Sequence, residues 1–295
     1  MRSGMVAVVG RPNVGKSSLV NALVGQKVSI VTAKPQTTRH RIQGVVHDPR
    51  GQVVLVDTPG LHRKTARALN RYLNDAAVAS FADIDLVLWV VEAGRWNEED
   101  DAVLEKLQRV RAPVGLVVNK VDKIADKRGR LLPELAALAQ RRDFAFVVPV
   151  SALKKDNLGP LKDELLSRMP EGPPLYGEGQ VEAMDPRFAL AEIVREKLME
   201  RLRQELPYAL TVEIEKLERE GRLTRVHAIV WVERDSQKAI VIGEGGKQLK
   251  AIGGSARRDM EARLGGKVFL QLWCKAKPGW TDDPESLKRF GYVAE

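Results

Sequence analysis

Five short, almost uninterrupted apolar runs mark the first 150 positions: Met5–Val9, Val53–Val56, Leu86–Val91, Val114–Val118 and Phe146–Val150. A strand buried on both faces reads this way, because neither side has to meet water. Between the runs, helix-like segments lie near 16–25, 68–81, 98–111 and 131–142, and another follows at 160–169. Strand and helix in alternation predict an α/β domain with a mostly parallel sheet and helices on both faces. The polar stretch Arg41–Gly51 departs from the pattern and reads as an edge hairpin returning into Val53–Val56 through Pro49-Arg50-Gly51.

At Pro170–Gly179 every periodicity stops, with three prolines and three glycines in ten residues. That composition predicts a linker, set at 171–185, closing a first domain at 1–170. Beyond it the pattern changes. Leu190, Ile193, Val194, Leu198 and Leu202 fall at helical spacing, opened by Asp185-Pro186 as cap and first turn. Leu210, Val212 and Ile214 then alternate with Thr211, Glu213 and Glu215, and Val226, Ala228, Val230 and Val232 alternate likewise past the Glu220-Gly221 turn. These read as half-buried antiparallel strands. Two helices around Gly243–Gly246 come next, then a strand with Val268, Leu270, Leu272 and Cys274 on one face. The order helix, two strands, two helices, strand predicts a second, α+β domain over 186–295, its tail around Pro278–Tyr292 closing as a short helix.

Composition narrows the class. The 295 residues, 44% apolar and 29% charged, suffice for two cores, and no apolar run approaches the ~20 residues of a membrane span. Met5–Val9 is too short for the apolar part of a secretion signal. The single Cys274 excludes an internal disulfide and a cysteine-based zinc site. The expected place is therefore the cytosol. The net charge of +9 permits an anionic partner, but residues 186–295 carry 21 basic against 17 acidic side chains, an excess of only four, so charge does not locate the site.

The chemistry sits where the runs end. Gly10-Arg11-Pro12-Asn13-Val14-Gly15-Lys16-Ser17 satisfies G-x-x-x-x-G-K-[ST] between a strand and a helix continuing through Ser18. Its glycines let backbone N–H groups turn inward on a phosphate, Lys16 can reach the β- and γ-phosphates, and the Ser17 hydroxyl can sit on Mg²⁺. After Val53–Val56 come Asp57-Thr58-Pro59-Gly60, where Asp57 can hold Mg²⁺ through a water and the Gly60 N–H can meet the γ-phosphate. Asn119-Lys120-Val121-Asp122 follows Val114–Val118. The Asp122 carboxylate can accept from guanine N1–H and N2, which adenine cannot supply. Ser151-Ala152-Leu153 follows the last run, and its backbone can touch guanine O6. Ligands of such sheets bind at the carboxyl ends of the strands.

In this order the four motifs resemble those of translation-factor-type GTPases, and Gln36-Thr37-Thr38-Arg39-His40 with Asp57-Thr58-Pro59-Gly60-Leu61-His62 resembles the two switch segments of the Era family. The resemblance implies a P-loop GTPase domain using GTP/GDP and Mg²⁺, with Thr38, in preference to Thr37, as the switch I ligand of the metal. Leu61 stands where Ras-like proteins carry a water-orienting glutamine. His62, Arg39 and Arg63 are then candidate helpers, and resemblance to potassium-dependent GTPases makes Asn13 a candidate K⁺ ligand.

The second domain resembles a type II KH domain, with Gly243, Glu244, Gly245 and Gly246 as its G-x-x-G loop. Without Cβ atoms the loop can clamp the backbone of a single strand. Ile240, Ile242, Leu249 and Ile252 are expected to line the groove, flanked by Lys238, Lys247, Lys250, Arg257 and Arg258. Glu244 departs from the basic residue usual in that loop. Across nearly the whole chain the resemblance implies a monomeric GTPase acting in small ribosomal subunit assembly, which binds single-stranded small-subunit rRNA near its 3′ end and does not bind DNA. The rival readings are an RNA-binding module with a structural, weakly hydrolytic nucleotide site, and a regulatory GTPase peripheral to the membrane.

Overall fold

The computed structural model describes residues 1–34, 37–60, 69, 83–182, 184–202 and 206–292, without the side chains of 127, 128 and 207. They form two units. The first holds most of residues 1–183, and the second holds the chain from Met184 together with Thr32–Thr37 and Leu69. Among the described residues no helix is long and apolar enough to cross a membrane.

The first unit is built on six strands, β1 (Arg2–Val9), β2 (Ile42–Asp48), β3 (Gly51–Asp57), β4 (Leu86–Glu92), β5 (Val114–Asn119) and β6 (Phe146–Pro149). They lie in the order β2-β3-β1-β4-β5-β6, and only the β2–β3 hairpin is antiparallel. Alternate residues serve opposite faces. Val6 and Val8 pack with Leu19, Val20 and Leu23 of α1 (Lys16–Val24) and Leu161 and Leu165 of α4 (Leu158–Arg168). Ala7 and Val9 pack with Val103 and Leu107 of α2 (Glu98–Leu107) and Leu138 of α3 (Leu132–Ala139). Burial on both faces is why β1 from Met5 and the central strands β4 and β5 are almost wholly apolar.

Several boundaries differ from expectation. Helix α2 stops at Leu107 rather than near 111, and α3 runs only from Leu132 to Ala139. The hairpin turn is two residues, Pro49 and Arg50, because Gly51 already pairs with Asp48. The polar stretch before it buries Ile42, Val45 and Val46. The linker region explains this. The Val45 N–H donates to the Val181 carbonyl, Gly44 bridges Glu182, and the Gln52 side chain bonds the backbone of Leu175 and Tyr176. Residues expected to form a loose connection thus cover the outer edge of the sheet. The helix expected at 68–81 lies outside the described residues.

The second unit has α5 (Pro186–Arg201), β7 (Leu210–Glu220), β8 (Leu223–Val232), α6 (Asp235–Ile242), α7 (Lys247–Leu264), β9 (Lys267–Ala276) and the tail helix α8 (Pro284–Arg289). Asp185 caps α5 through the Arg187 N–H, with Pro186 in the first turn. Strands β7 and β8 are antiparallel, with a bulge between Ile214 and Lys216, and β9 pairs parallel to β8. One sheet face meets Leu190, Val194, Leu198, Val241, Ile252, Ala256 and Met260 from the helices. Cys274 belongs to this core, and burial pushes its thiol up to about 11.

Candidate nucleotide site and nucleic-acid groove

Register aligns the ends of the parallel strands. Val8 pairs with Asp57, Val9 with Trp89, and Glu92 with Asn119, which brings every strand-end motif to one side of the first sheet. In the loop after β1, Gly10 has φ +149° and a Cβ there would stand 2.3 Å from the Val90 carbonyl oxygen. Gly15 has φ +98° and a Cβ would stand 2.4 Å from Asn119 Nδ2. Both positions require glycine on two counts, conformation and space. Asn13 also takes a left-handed φ of 63°, which asparagine tolerates. Gly15 then opens α1, whose first turn holds Lys16, Ser17 and Ser18.

The buried Lys16 ammonium donates to the carbonyls of Gly10 and Arg11, both at 3.0 Å. Burial lowers it to about 8, with Asp57 opposing and Arg11 adding to the shift. Ser17 Oγ lies 2.9 Å from Thr38 Oγ1, which donates to Asp57 Oδ2 at 3.3 Å. Asp57 is fully buried and its Oδ1 makes no hydrogen bond among the described residues. Burial holds this carboxyl above the usual range, although Ser17, Lys16, Ser29 and Thr38 oppose the shift. Two hydroxyls and a carboxylate with a spare buried oxygen form a donor set for a hard cation such as Mg²⁺. Of the two threonines, only Thr38 joins it. The Thr37 hydroxyl bonds within its own loop, to Thr32 Oγ1 and the Lys34 carbonyl at 2.7 Å each.

The switch II start is anchored from behind. Thr58 Oγ1 donates to the Val8 carbonyl at 2.8 Å, and a Cβ on Gly60 would lie 3.1 Å from Pro12 Cγ. Gln36, Leu61, His62 and Arg63 fall outside the described residues. Arg39 is fully buried, and His40 is half-buried.

The guanine motif is tied to the phosphate loop by side chains. Asn119 Nδ2 donates to the Val14 carbonyl at 2.9 Å, and its Oδ1 accepts from the amides of Lys120 and Ala152 at 2.8 and 3.0 Å. Of the Ser151-Ala152-Leu153 backbone expected near guanine O6, the Ala152 N–H is engaged by Asn119, while the Leu153 side chain is exposed. Ser151 Oγ donates to Asp122 Oδ1 at 2.5 Å, fixing the carboxylate on the protein's exposed rim. Lys120 Nζ reaches the Asn13 carbonyl at 2.5 Å and Glu92 Oε2 at 2.8 Å. Glu92 also holds Lys123 at 3.2 Å and lies 3.8 Å from Arg11, whose Nε donates to Asp100 at 2.9 Å. Burial opposes its ionisation, yet Lys120 and Lys123 hold Glu92 below the usual carboxylate range. Glu92 escaped the sequence reading. Its signal was a carboxylate ending the run Leu86–Val91, at the strand end where ligands gather.

Lys34 and Thr37 belong to the second unit and bond within it. Lys34 Nζ donates to the Met199 and Leu202 carbonyls at the C-terminus of α5, where cations are favoured, and Arg195 donates to the Thr37 carbonyl while paired with Glu192.

In the G-x-x-G loop, Gly243, Gly245 and Gly246 have φ of +71°, +57° and +76°, and Gly246 opens α7. The loop borders a groove of about 430 Å³ with Gly246, Leu249, Lys250, Gly253, Gly254 and Arg257 on one wall, and Leu270 and Leu272 of β9 on the other. Ile252 does not line it. It points inward and is fully buried in the core, one residue short of the groove face formed by Leu249 and Gly253. Ile242 packs against the core, and Ile240 is 56% exposed. Lys247, Lys250, Arg257 and Arg258 are exposed and Lys238 is half-buried. The glycine pair 253–254 inside a helix was the missed signal: a Cβ on Gly253 would lie 3.3 Å from Leu272 Cδ1.

A family model described as 50S ribosome-binding GTPase matches residues 5–120, and a KH domain model matches 205–281. GTPase Era of Xanthomonas oryzae pv. oryzae (strain MAFF 311018) is 55% identical over 291 residues, 99% of this chain and 97% of its own. GTPase Era of Stenotrophomonas maltophilia (strain K279a) is 53% identical over 289 residues, 98% and 97% of the two chains. Among solved structures, a single-residue variant of Aquifex aeolicus Era bound to GDP·AlF₄⁻ is 36% identical with a TM-score of 0.94, each chain covered in full. Era in complex with MgGDPNP and nucleotides 1506–1542 of 16S ribosomal RNA is also 36% identical, with a TM-score of 0.96 and full coverage of both chains.

Proposed function

The chain belongs to the Era GTPase family, and from that premise we propose that it hydrolyses GTP to GDP in the first unit. Its second unit binds single-stranded rRNA of the small subunit near the 3′ end, and the protein acts in small-subunit assembly. The cytoplasm as its place follows from that partner, and one chain supplies both sites, so a monomer suffices. The relatives bound to GDP·AlF₄⁻, to MgGDPNP and to 16S rRNA nucleotides support the reading.

One observation in this chain carries the hydrolytic part: the buried Asp57 carboxylate, with an unbonded oxygen beside the Ser17 and Thr38 hydroxyls, behind the Gly10–Gly15 cradle. Ser17 and Thr38 would ligate Mg²⁺ directly and Asp57 through a water. Mg²⁺, when bound, neutralises charge developing on the β- and γ-phosphate oxygens. Lys16 and the inward amides of residues 13–18 hold the phosphates, the Gly60 N–H meets the γ-phosphate, and Asp122, oriented by Ser151, reads the guanine edge. Leu61 cannot hydrogen-bond the attacking water, so we assign a K⁺ ion, held in part by Asn13, to the charge compensation that a side chain provides elsewhere. In the groove, Lys247, Lys250, Arg257 and Arg258 take phosphates, while the G-x-x-G backbone approaches the chain.

Purified protein with GTP and Mg²⁺ is expected to release phosphate over many equivalents; binding without turnover would reject the enzyme. Exchanging Na⁺ for K⁺ at constant ionic strength is expected to raise turnover severalfold, and Asn13→Ala to erase the difference with nucleotide binding kept. Equal rates in the two salts reject the K⁺ assignment. Crosslinking in cell extract is expected to recover small-subunit rRNA, and recovery of other RNAs alone would reject that partner.

A further inference from the structure

Strand β9 has two faces, and the groove uses one of them. Leu270 and Leu272 turn toward the groove wall. The opposite face carries Lys267, Phe269, Gln271, Trp273 and Lys275, alternating by the strand period of two. Trp273 is 51% exposed and Phe269 is 45% exposed, two of the few large apolar side chains of the described residues left in water. Their Cα atoms lie about 13 Å apart along the strand at ~3.3 Å per residue. The Arg225 guanidinium, cross-strand from Phe269, stands 5.6 Å from its ring centroid, and the His227 ring stands 6.4 Å away. Among the described residues, β9 is an edge strand of its sheet, paired only with β8.

The charges on this sheet face are unevenly placed. Its carboxylates Glu213, Glu218 and Glu220 lie on β7, the far edge, where they pair with Arg289, Lys216 and Arg225. From Glu261 to Asp282 the chain has no acidic residue between, and it has Arg263, Lys267, Lys275 and Lys277. Two aromatic rings flanked by lysines, on a strand that has no acidic residue of its own, suit a polyanion with stackable planes, which is a single-stranded nucleic acid.

We propose that the outer face of β9 is a second RNA-binding surface, on which Phe269 and Trp273 stack bases of a strand that leaves the groove across the β9 edge, with Lys267 and Lys275 on its phosphates. The proposal rests on the groove's binding of single-stranded RNA. It makes the bound segment longer than the about four nucleotides a G-x-x-G clamp grips.

The test is fluorescence anisotropy with two labelled RNAs from the 3′ end of 16S rRNA, one of about four nucleotides and one about three times as long. Trp273→Ala and Phe269→Ala, at exposed positions, are expected to weaken the long RNA about tenfold each and leave the short one unchanged. Trp273→Phe is expected to restore most of the loss, since stacking needs a ring and not the indole. Lys267→Ala with Lys275→Ala is expected to lower the log–log salt slope for the long RNA by about 0.7 for each phosphate no longer neutralised. Long-RNA binding that ignores both alanine variants overturns the proposal while leaving the groove intact. Equal loss on both RNAs overturns it too, because the face would then act only through the fold. An alanine variant that changes self-association in sedimentation, with RNA affinity unmoved, assigns the face to a second copy. No binding of either RNA by the unaltered protein would instead remove the groove reading, and the proposal with it.

Discussion

At the scale of single residues, the proposed base choice rests on one carboxylate held by one hydroxyl. Ser151 fixes Asp122 at 2.5 Å, so the acceptor pair is aimed before any base arrives. Asp122→Asn replaces an acceptor with a donor opposite guanine N1–H. GTP affinity is expected to fall at least roughly hundredfold and xanthosine triphosphate, whose C2 oxygen accepts, to gain. Displacement of a fluorescent guanine nucleotide measures both, and unchanged affinities would remove Asp122 from the base site. Glu92 acts one step back, as a positioning residue. It holds Lys120 and Lys123 and approaches Arg11, joining the base loop to the phosphate loop. Glu92→Gln keeps the shape and loses charge-assisted bonds worth about 1.5–3 kcal/mol each at most. Guanine nucleotide affinity is expected to drop about tenfold, with guanine preference retained. Because the folded Glu92 carboxyl lies below its ordinary 4.5, its support is complete above that pH and fades as acid carries the group through the folded value. A variant that binds GDP as tightly as the unaltered protein at neutral pH would rule this role out.

At the scale of elements, the G-x-x-G loop carries one residue against its apparent purpose. The Glu244 side chain is 93% exposed and lies 4.0 Å from Lys247. A carboxylate so open to water is free of any packing role, and its field reaches whatever phosphate passes the loop. Glu244→Lys is expected to tighten all single-stranded RNAs alike and steepen the log–log salt slope by up to ~0.7 for each further phosphate neutralised. Anisotropy on one cytosine-containing oligomer and its cytosine-free counterpart, each at two salt concentrations, checks it. Loss confined to the cytosine-containing RNA would mean that Glu244 reads a base amine instead. The element around it tolerates the change, since Gly245 and Gly246 have open space about them.

For the molecule as a whole, two cores in one chain predict two separable responses to ligands. GDP with Mg²⁺ binds the first unit and RNA the second, and a ligand at a hundred times its dissociation constant stabilises its own unit by about 2.7 kcal/mol. Calorimetry is expected to resolve transitions that each move with one ligand; a single transition shifted equally by both would reject independent units. The apolar runs and their strand-end motifs made the first sheet legible in advance, because strands buried on both faces leave an unmistakable pattern and the phosphate loop has strict backbone requirements. The helical stripe from Leu190 to Leu202 and the alternation in β7, β8 and β9 did the same for the second unit. Other features depend on residues far apart in the chain. The linker's cover over β2, the capture of the Ala152 amide by Asn119, the pairing of Thr38 with Ser17 and Asp57, and Glu92's hold on two loops are contacts across many residues, with no local periodicity to announce them. The burial of Ile252 and the opening of Leu270 and Leu272 to the groove were likewise decided by packing. Periodicity says which residues share a face, but only the neighbouring elements determine whether that face is covered.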